Sequence, residues 1–269
     1  LSNGTPSNKR SDRMVALLAM LNEHGQLPLS KLAKDLGASE ATIRRDVAAL
    51  AAQGLLDRTH GGARPTQGVN ELPVRLRDGR NQASKSRIAI AAAHMIPQGK
   101  YAIGLTGGTT AAEVLRALQH RDDLTIITNS LSIGLEAAEQ DQARVLIAGG
   151  VLRSNSLELV GSLAEATLRL VNIGTAIVGA DGISAEGGLT THDEVEARTN
   201  HTLIERAQRV IAVGDASKIG TVTLAKMANL SEIDVLVTDS TASPAELARI
   251  REAGIDVHVV PAPDPGNPA

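Results

Sequence analysis

Residues 101–115 of the 269-residue chain read YAIGLTGGTTAAEVL. An apolar run ends in Thr106-Gly107-Gly108-Thr109-Thr110, and a helical pattern follows. A strand that turns through glycines and hydroxyls into a helix start gathers backbone N–H donors at the positive end of a helix dipole. Such a place holds a phosphate. Other polar residues follow later apolar runs: Asn129-Ser130, Gly149-Gly150, Asp181, and Asp215 with Lys218. Lys218 offers a point charge to a phosphate. Asp181, Glu196 and Asp215 are also carboxylates of the kind that takes a proton in an enolisation. Two chemistries are therefore open, turnover of a sugar phosphate and reception of one. Gly104-x-x-Gly107-Gly108 is not the dinucleotide spacing G-x-G-x-x-G, and no Walker lysine follows, so no nucleotide cofactor is expected. The chain has no Cys, and His192, Asp193 and His201 lack the helical i, i+4 spacing of a ligand pair, so no metal is expected either.

A second set of residues suits a different polymer. Residues 1–64 hold nine Lys/Arg against six Asp/Glu, whereas 65–269 hold eighteen against twenty-four. A basic head on an acidic body suggests two domains with different partners. In the head, Ser39 is placed to cap a helix that carries Thr42, Arg44 and Arg45 in its first turns. The first turns of a recognition helix face base edges in the major groove, where arginine bonds guanine or clamps a phosphate. Arg58, His60 and Arg64 flank a Gly61-Gly62 turn, and Arg13 and Lys31 are candidates for backbone contacts.

Regular elements must carry these groups. Met14, Leu17, Leu18 and Leu21 have helical spacing, as do Leu32, Ala33 and Leu36, and again Ile43, Val47, Leu50 and Ala51. Glycines 25, 37 and 54 end the three patterns. The stretch LLDRTHGGAR (55–64) reads as a β-hairpin wing. Residues 1–12 are expected to be a disordered tail, 13–64 the DNA-binding domain, 65–82 a linker rich in Pro, Gly and polar residues, 83–262 a sugar-phosphate-binding α/β domain, and 263–269 a tail. In the larger domain, seven apolar runs alternate with helical patterns: 101–106, 124–129, 144–150, 175–181, 209–215, 235–239 and 257–260. Runs continuous in Val, Ile, Leu and Ala fit strands buried on both faces of a mostly parallel α/β sheet. Ligands of such sheets sit beyond the carboxyl ends of the strands, where the polar residues cluster.

SEATIRRDVAALAAQGLLDRTHGGA (39–63) resembles the signature of the DeoR family of bacterial transcription regulators, a winged helix-turn-helix. The body resembles that family's C-terminal sensor domain from Lys85 to Val260, at Gly107-Gly108-Thr109-Thr110, Thr128-Asn129-Ser130, Gly149-Gly150, Glu196-Ala197 and Asp215-x-x-Lys218. The resemblance implies an α/β fold related to sugar-phosphate isomerases and deaminases, and a phosphorylated sugar held at the glycine turn. Four positions depart from the family pattern. Ala38 stands for the usual Val, and Val74 for Phe. Thr106 stands where the family commonly has Asp, and Asn200 where it often has Lys.

The composition narrows the partners. The chain has no Phe or Trp and one Tyr, so stacking platforms for single-stranded nucleic acid are lacking. No apolar run approaches the roughly 18 residues of a membrane span. The absence of Cys suits the cytoplasm. A regulator is favoured over an isomerase or deaminase, since a full winged helix would be idle in an enzyme and no His forms a relay. The expected partners are double-stranded operator DNA, a phosphorylated sugar and further copies of the chain. One winged helix buries too little for strong specificity, so a homo-oligomer on repeated half-sites is expected.

Overall fold

The computed structural model describes residues 6–66, 71–77, 79, 81–139 and 144–262, and the chain divides into two compact units, Leu1–Arg80 and Asn81–Ala269. The first unit runs α1 (Pro6–His24), β1 (Leu27–Pro28), α2 (Leu29–Asp35), α3 (Glu40–Ala52), β2 (Leu56–Thr59), β3 (Gly62–Pro65) and α4 (Val74–Arg77). Its core joins Leu17 and Leu21 of α1, Leu32 of α2, Ile43, Val47 and Leu50 of α3, and Leu56 and Ala63 of the wing. These are largely the residues whose spacing marks the helical stripes.

Three features depart from expectation. Helix α1 starts at Pro6, within the segment expected to be a tail, because proline suits the first turn of a helix, where an N–H has no partner anyway. The wing has three strands in the order β1-β3-β2, with Leu27 opposite Ala63 and Pro28 opposite Gly62. The 65–82 stretch holds α4, whose Leu76 is buried in the core of the first unit. The expected tail at 263–269 lies outside the described residues.

The second unit runs α5 (Gln82–His94), β4 (Tyr101–Leu105), α6 (Thr109–Ala117), β5 (Leu124–Thr128), α7 (Leu131–Ala138), β6 (Arg144–Ile147), β7 (Val151–Arg153), β8 (Glu158–Val160), α8 (Ser162–Arg169) and β9 (Ile173–Gly179). It continues with β10 (Gly182–Ser184), β11 (Gly188–Thr191), α9 (Glu194–Glu205), β12 (Ala207–Val213), β13 (Ala225–Ala228), β14 (Val235–Asp239), α10 (Pro244–Glu252) and β15 (Asp256–Val260). The seven apolar runs form one seven-stranded sheet in the order β15-β14-β12-β9-β4-β5-β6, with every neighbouring pair parallel.

Side chains alternate between two cores, as a pleated strand requires. Val210 and Ala212 of β12 join one cluster with α8, α9 and α10, while Ile211 and Val213 join the other with α5, α6 and α7. The chain builds β4, β5 and β6 outward, then returns to lay β9 on the other side of β4. The order of strands thus reverses between β4 and β9, which opens a crevice at their carboxyl ends. Two small antiparallel sheets, β7-β8 and β10-β11-β13, add to the parallel sheet.

The wing packs on a residue with no side chain. A Cβ at Gly62 would overlap the carbonyl oxygen of Leu27 on the paired strand. Gly62→Val should therefore part β1 from β3 and destabilise the first unit by roughly 1–3 kcal/mol, the usual cost of overpacking. The measurement is hydrogen exchange across α1, α2 and α3 with the denaturation midpoint. Unchanged exchange would mean that the wing accommodates the side chain.

Candidate functional site

In the first unit, Ser39 caps α3. Its Oγ accepts from the backbone N–H of Thr42 at 3.2 Å and lies 2.9 Å from Thr42 Oγ1. This leaves the first turns of α3 open at their N-terminal end, with Arg44 and Arg45 exposed. Arg45 Nε also reaches the Ala41 carbonyl at 3.3 Å. Arg58 and His60 are exposed on the wing, and Arg64 is paired with Asp57 across the hairpin at 3.1 Å. Two expected backbone contacts are engaged otherwise. Arg13 Nε donates to Asp46 Oδ2 at 2.7 Å, and Asp46 is 2% exposed, so this arginine neutralises a buried carboxylate that leaving unpaired would make costly. Lys31 pairs with Asp35 at 3.1 Å, one turn along α2.

In the second unit, the glycine turn lies at the carboxyl end of β4, where the strand order reverses. Gly108, at φ 105°, is the N-cap of α6, in a backbone conformation that suits glycine. Thr109 and Thr110 open the helix, so the N–H groups of its first turn have no partner within it. Thr106 does not face outward. It is fully buried, and its Oγ1 accepts from Gly179 N–H at 3.0 Å, joining the ends of the two central strands. A hydroxyl can satisfy a backbone N–H here without placing a charge in the core.

Five of the residues expected at the rim converge with three that the sequence reading missed. Asn129 and Asn200 direct their amides at Glu158, with Nδ2 to Oε2 distances of 3.4 and 3.1 Å, and Asn129 Nδ2 also donates to Asn200 Oδ1 at 2.9 Å. Thr191 Oγ1 donates to Asp181 Oδ2 at 3.1 Å and also bonds Glu196 Oε1. Arg153 reaches Glu196 at 3.0 Å and Asp193 at 3.3 Å. Lys218 Nζ lies 3.4 Å from Asp181 Oδ1. Ser130 caps α7, and Asp215 caps the 3-10 turn Ala216–Lys218, so both have structural partners of their own. Gly149 is exposed, while Gly150 lies against Val160 and Ala164.

Glu158, Arg153 and Thr191 were not singled out from the sequence. The one available signal is Glu158 itself, a charged residue between Leu157 and Leu159. It lies on β8, and that strand is too short to stand out as a periodic pattern. A Cβ at Gly107 would overlap the Glu158 carboxyl, so glycine is required there for the turn to close over the acid. Burial, reinforced by the negative charge of Glu196, pushes the Glu158 carboxyl well above the usual carboxylate range. Burial also raises Glu196, against the pull of Thr191 and Arg153. Burial works against the charge of Asp193 as well, yet the backbone N–H of Glu196 and the Arg153 guanidinium hold it below its ordinary value. Among the described residues, no group of three or more His, Asp or Glu side chains is placed to hold a metal ion. His201, weighed above as a ligand, lies between Glu205 and Glu232 at 3.4 and 3.5 Å.

A raised carboxyl makes the folded state bind a proton more tightly than the unfolded chain. Its contribution is present at acid pH and is lost as pH climbs from the ordinary glutamate value through the raised one. Glu158→Gln removes this titration. The variant should gain on the parent in thermal denaturation as pH rises above the ordinary glutamate value. Parallel pH profiles would show that Glu158 is ionised without penalty.

Residues 13–67 match the DeoR-like helix-turn-helix domain, and residues 80–240 match the DeoR C terminal sensor domain. The chain is 33% identical over 248 residues to the HTH-type transcriptional regulator GlpR of Haloferax volcanii, covering 92% of this chain and 96% of that one. It is 33% identical to the glycerol-3-phosphate regulon repressor of Escherichia coli, covering 86% and 92%. It is 35% identical to the transcriptional repressor AccR of Agrobacterium fabrum, covering 87% and 91%. Among solved structures, ribose 5-phosphate isomerase A from Methanocaldococcus jannaschii aligns at 18% identity and a TM-score of 0.40, over 54% of this chain and 55% of that one. With both domain models matched and relatives aligned over nearly their whole length, the chain belongs to the DeoR family of DNA-binding transcription regulators.

Proposed function

We propose that this protein is a repressor of carbohydrate-metabolism genes whose grip on its operator is set by a phosphorylated sugar. The observation that carries the reading is the pairing of an open, capped α3 bearing Arg44 and Arg45 with a second unit whose glycine turn lies at the reversal point of a parallel sheet. Ser39, Thr42, Arg44 and Arg45 meet the major groove and its phosphates, and Arg58, His60 and Arg64 add contacts from the wing. The phosphate rests on the N–H groups of 107–110, and Lys218 supplies a compact charge to it. Asn129, Asp181, Glu196 and Asn200 accept and donate to the sugar hydroxyls. Relatives named as repressors, including the glycerol-3-phosphate regulon repressor and the putative aga operon repressor of Escherichia coli, support this direction of control.

The working form is a homo-oligomer, since one winged helix reads too short a site. Val151 and Leu163 of the second unit are 70% and 69% exposed, apolar surface that a second copy would cover. Among the described residues no helix is long and apolar enough to cross a membrane, and the protein works in the cytoplasm beside its operator. The effector acts by binding the DNA-competent and incompetent arrangements with different affinity. An isomerase or deaminase reading draws on the same carboxylates, and it would be restored by turnover of a pentose or hexose phosphate at an enzymatic rate.

The division of labour is testable with two variants. Arg45→Ala should weaken operator binding in a gel-shift titration by at least about tenfold, since a good base contact is worth roughly 1–3 kcal/mol per half-site. It should keep the stabilisation by effector, about 2.7 kcal/mol at a hundredfold excess over Kd. Thr109→Ala with Lys218→Ala should do the reverse. Loss of both properties in both variants would defeat the assignment.

A further inference from the structure

We propose that the effector carries an amino group as well as a phosphate: an amino-sugar phosphate whose ammonium is received by Glu158 and Asn129. The inference rests on the phosphorylated-sugar reading and narrows it to one chemical class. The charges at the rim do not balance among the described residues. Glu158, Asp181, Asp193 and Glu196 gather there, with Arg153 bound to Glu196 and Asp193, and Lys218 bound to Asp181. No Lys, Arg or His among the described residues forms an ion pair with Glu158, which is 3% exposed and held by amides. A buried carboxyl without a cation is costly to ionise, and a ligand cation would offset that cost.

A second observation points the same way. Asn129 is fully buried, and its Oδ1 has no hydrogen-bond partner. Its Nδ2 is committed to Glu158 and Asn200, and the opposite orientation of the amide would put an oxygen against the Glu158 carboxyl. An orphaned acceptor and an unpaired carboxyl therefore stand together, and both call for donors. An ammonium has three donors, no acceptor and a positive charge, whereas a hydroxyl has one donor and brings lone pairs into an acidic site. The Glu158 carboxyl also lies directly against Gly107, so the same turn presents N–H donors to a phosphate and an acid to a cation.

The test uses matched pairs on the full chain by calorimetry at neutral pH: glucosamine 6-phosphate against glucose 6-phosphate, and galactosamine 6-phosphate against galactose 6-phosphate. At least one amino member should bind about tenfold or more tightly than its hydroxyl counterpart, a difference of about 1.4 kcal/mol. Glu158→Gln should bring that ratio close to one. Equal affinities in both pairs, or a preference that survives Glu158→Gln, would overturn the inference and leave the phosphorylated-sugar reading standing. If no phosphorylated sugar binds at all, that reading fails and this one with it. The pairs on the parent chain decide alone if the variant does not fold.

Discussion

The Glu158 carboxyl accepts from the amides of Asn129 and Asn200 and lies against the backbone of Gly107. Four elements of the second unit meet through those contacts: the end of β5, strand β8, helix α9 and the turn from β4 into α6. A buried acid is costly unless hydrogen-bond donors face it. The polar partners around it therefore have little freedom. Thr106 is drawn into the same arrangement from the other side, where its hydroxyl joins β4 to β9. The glycine turn thus packs against this polar network as well as on the apolar layers of the sheet.

Helix α9 has a particular place in that arrangement. Asp193 caps it through the N–H groups of Val195 and Glu196, while Glu196 and Asn200, one turn apart, both point into the cluster. Its apolar residues Leu203 and Ile204 are packed in the core on one face of the sheet. A ligand that rearranges Glu158 or Glu196 would act on an element already anchored in the core, and packed cores tend to switch between discrete arrangements. The first unit uses a buried carboxylate too, in a simpler way. Asp46 on α3 is clamped by Arg10 and Arg13 of α1, which fixes α3 against its neighbour while Arg44 and Arg45 stay exposed.

Much of the framework is legible in the chain. Seven runs of Val, Ile, Leu and Ala become the seven strands of the parallel sheet, because a strand buried on both faces tolerates little else. The three helical stripes of the head become α1, α2 and α3, because their apolar residues recur at the helical period and capping residues or glycines bound them. The short strands β1, β7, β8, β10, β11 and β13 escape notice, being two to four residues long. Such segments complete no period, and their pairing is set by neighbours distant in the sequence.

The amino-acid sequence by itself determined the family, the parallel α/β sheet, the Ser39-capped helix α3 and the glycine turn. Each of these rests on a local pattern: an apolar period, a cap or a fixed motif. Tertiary structure alone decided which polar residues meet. It turned Arg13 toward Asp46, buried Thr106 between two strands, and brought Glu158 from a short hairpin to lie beneath Gly107. Those outcomes depend on contacts between residues tens of positions apart. The energetic reason is the same in each case: a buried polar group must find a partner wherever the fold supplies one.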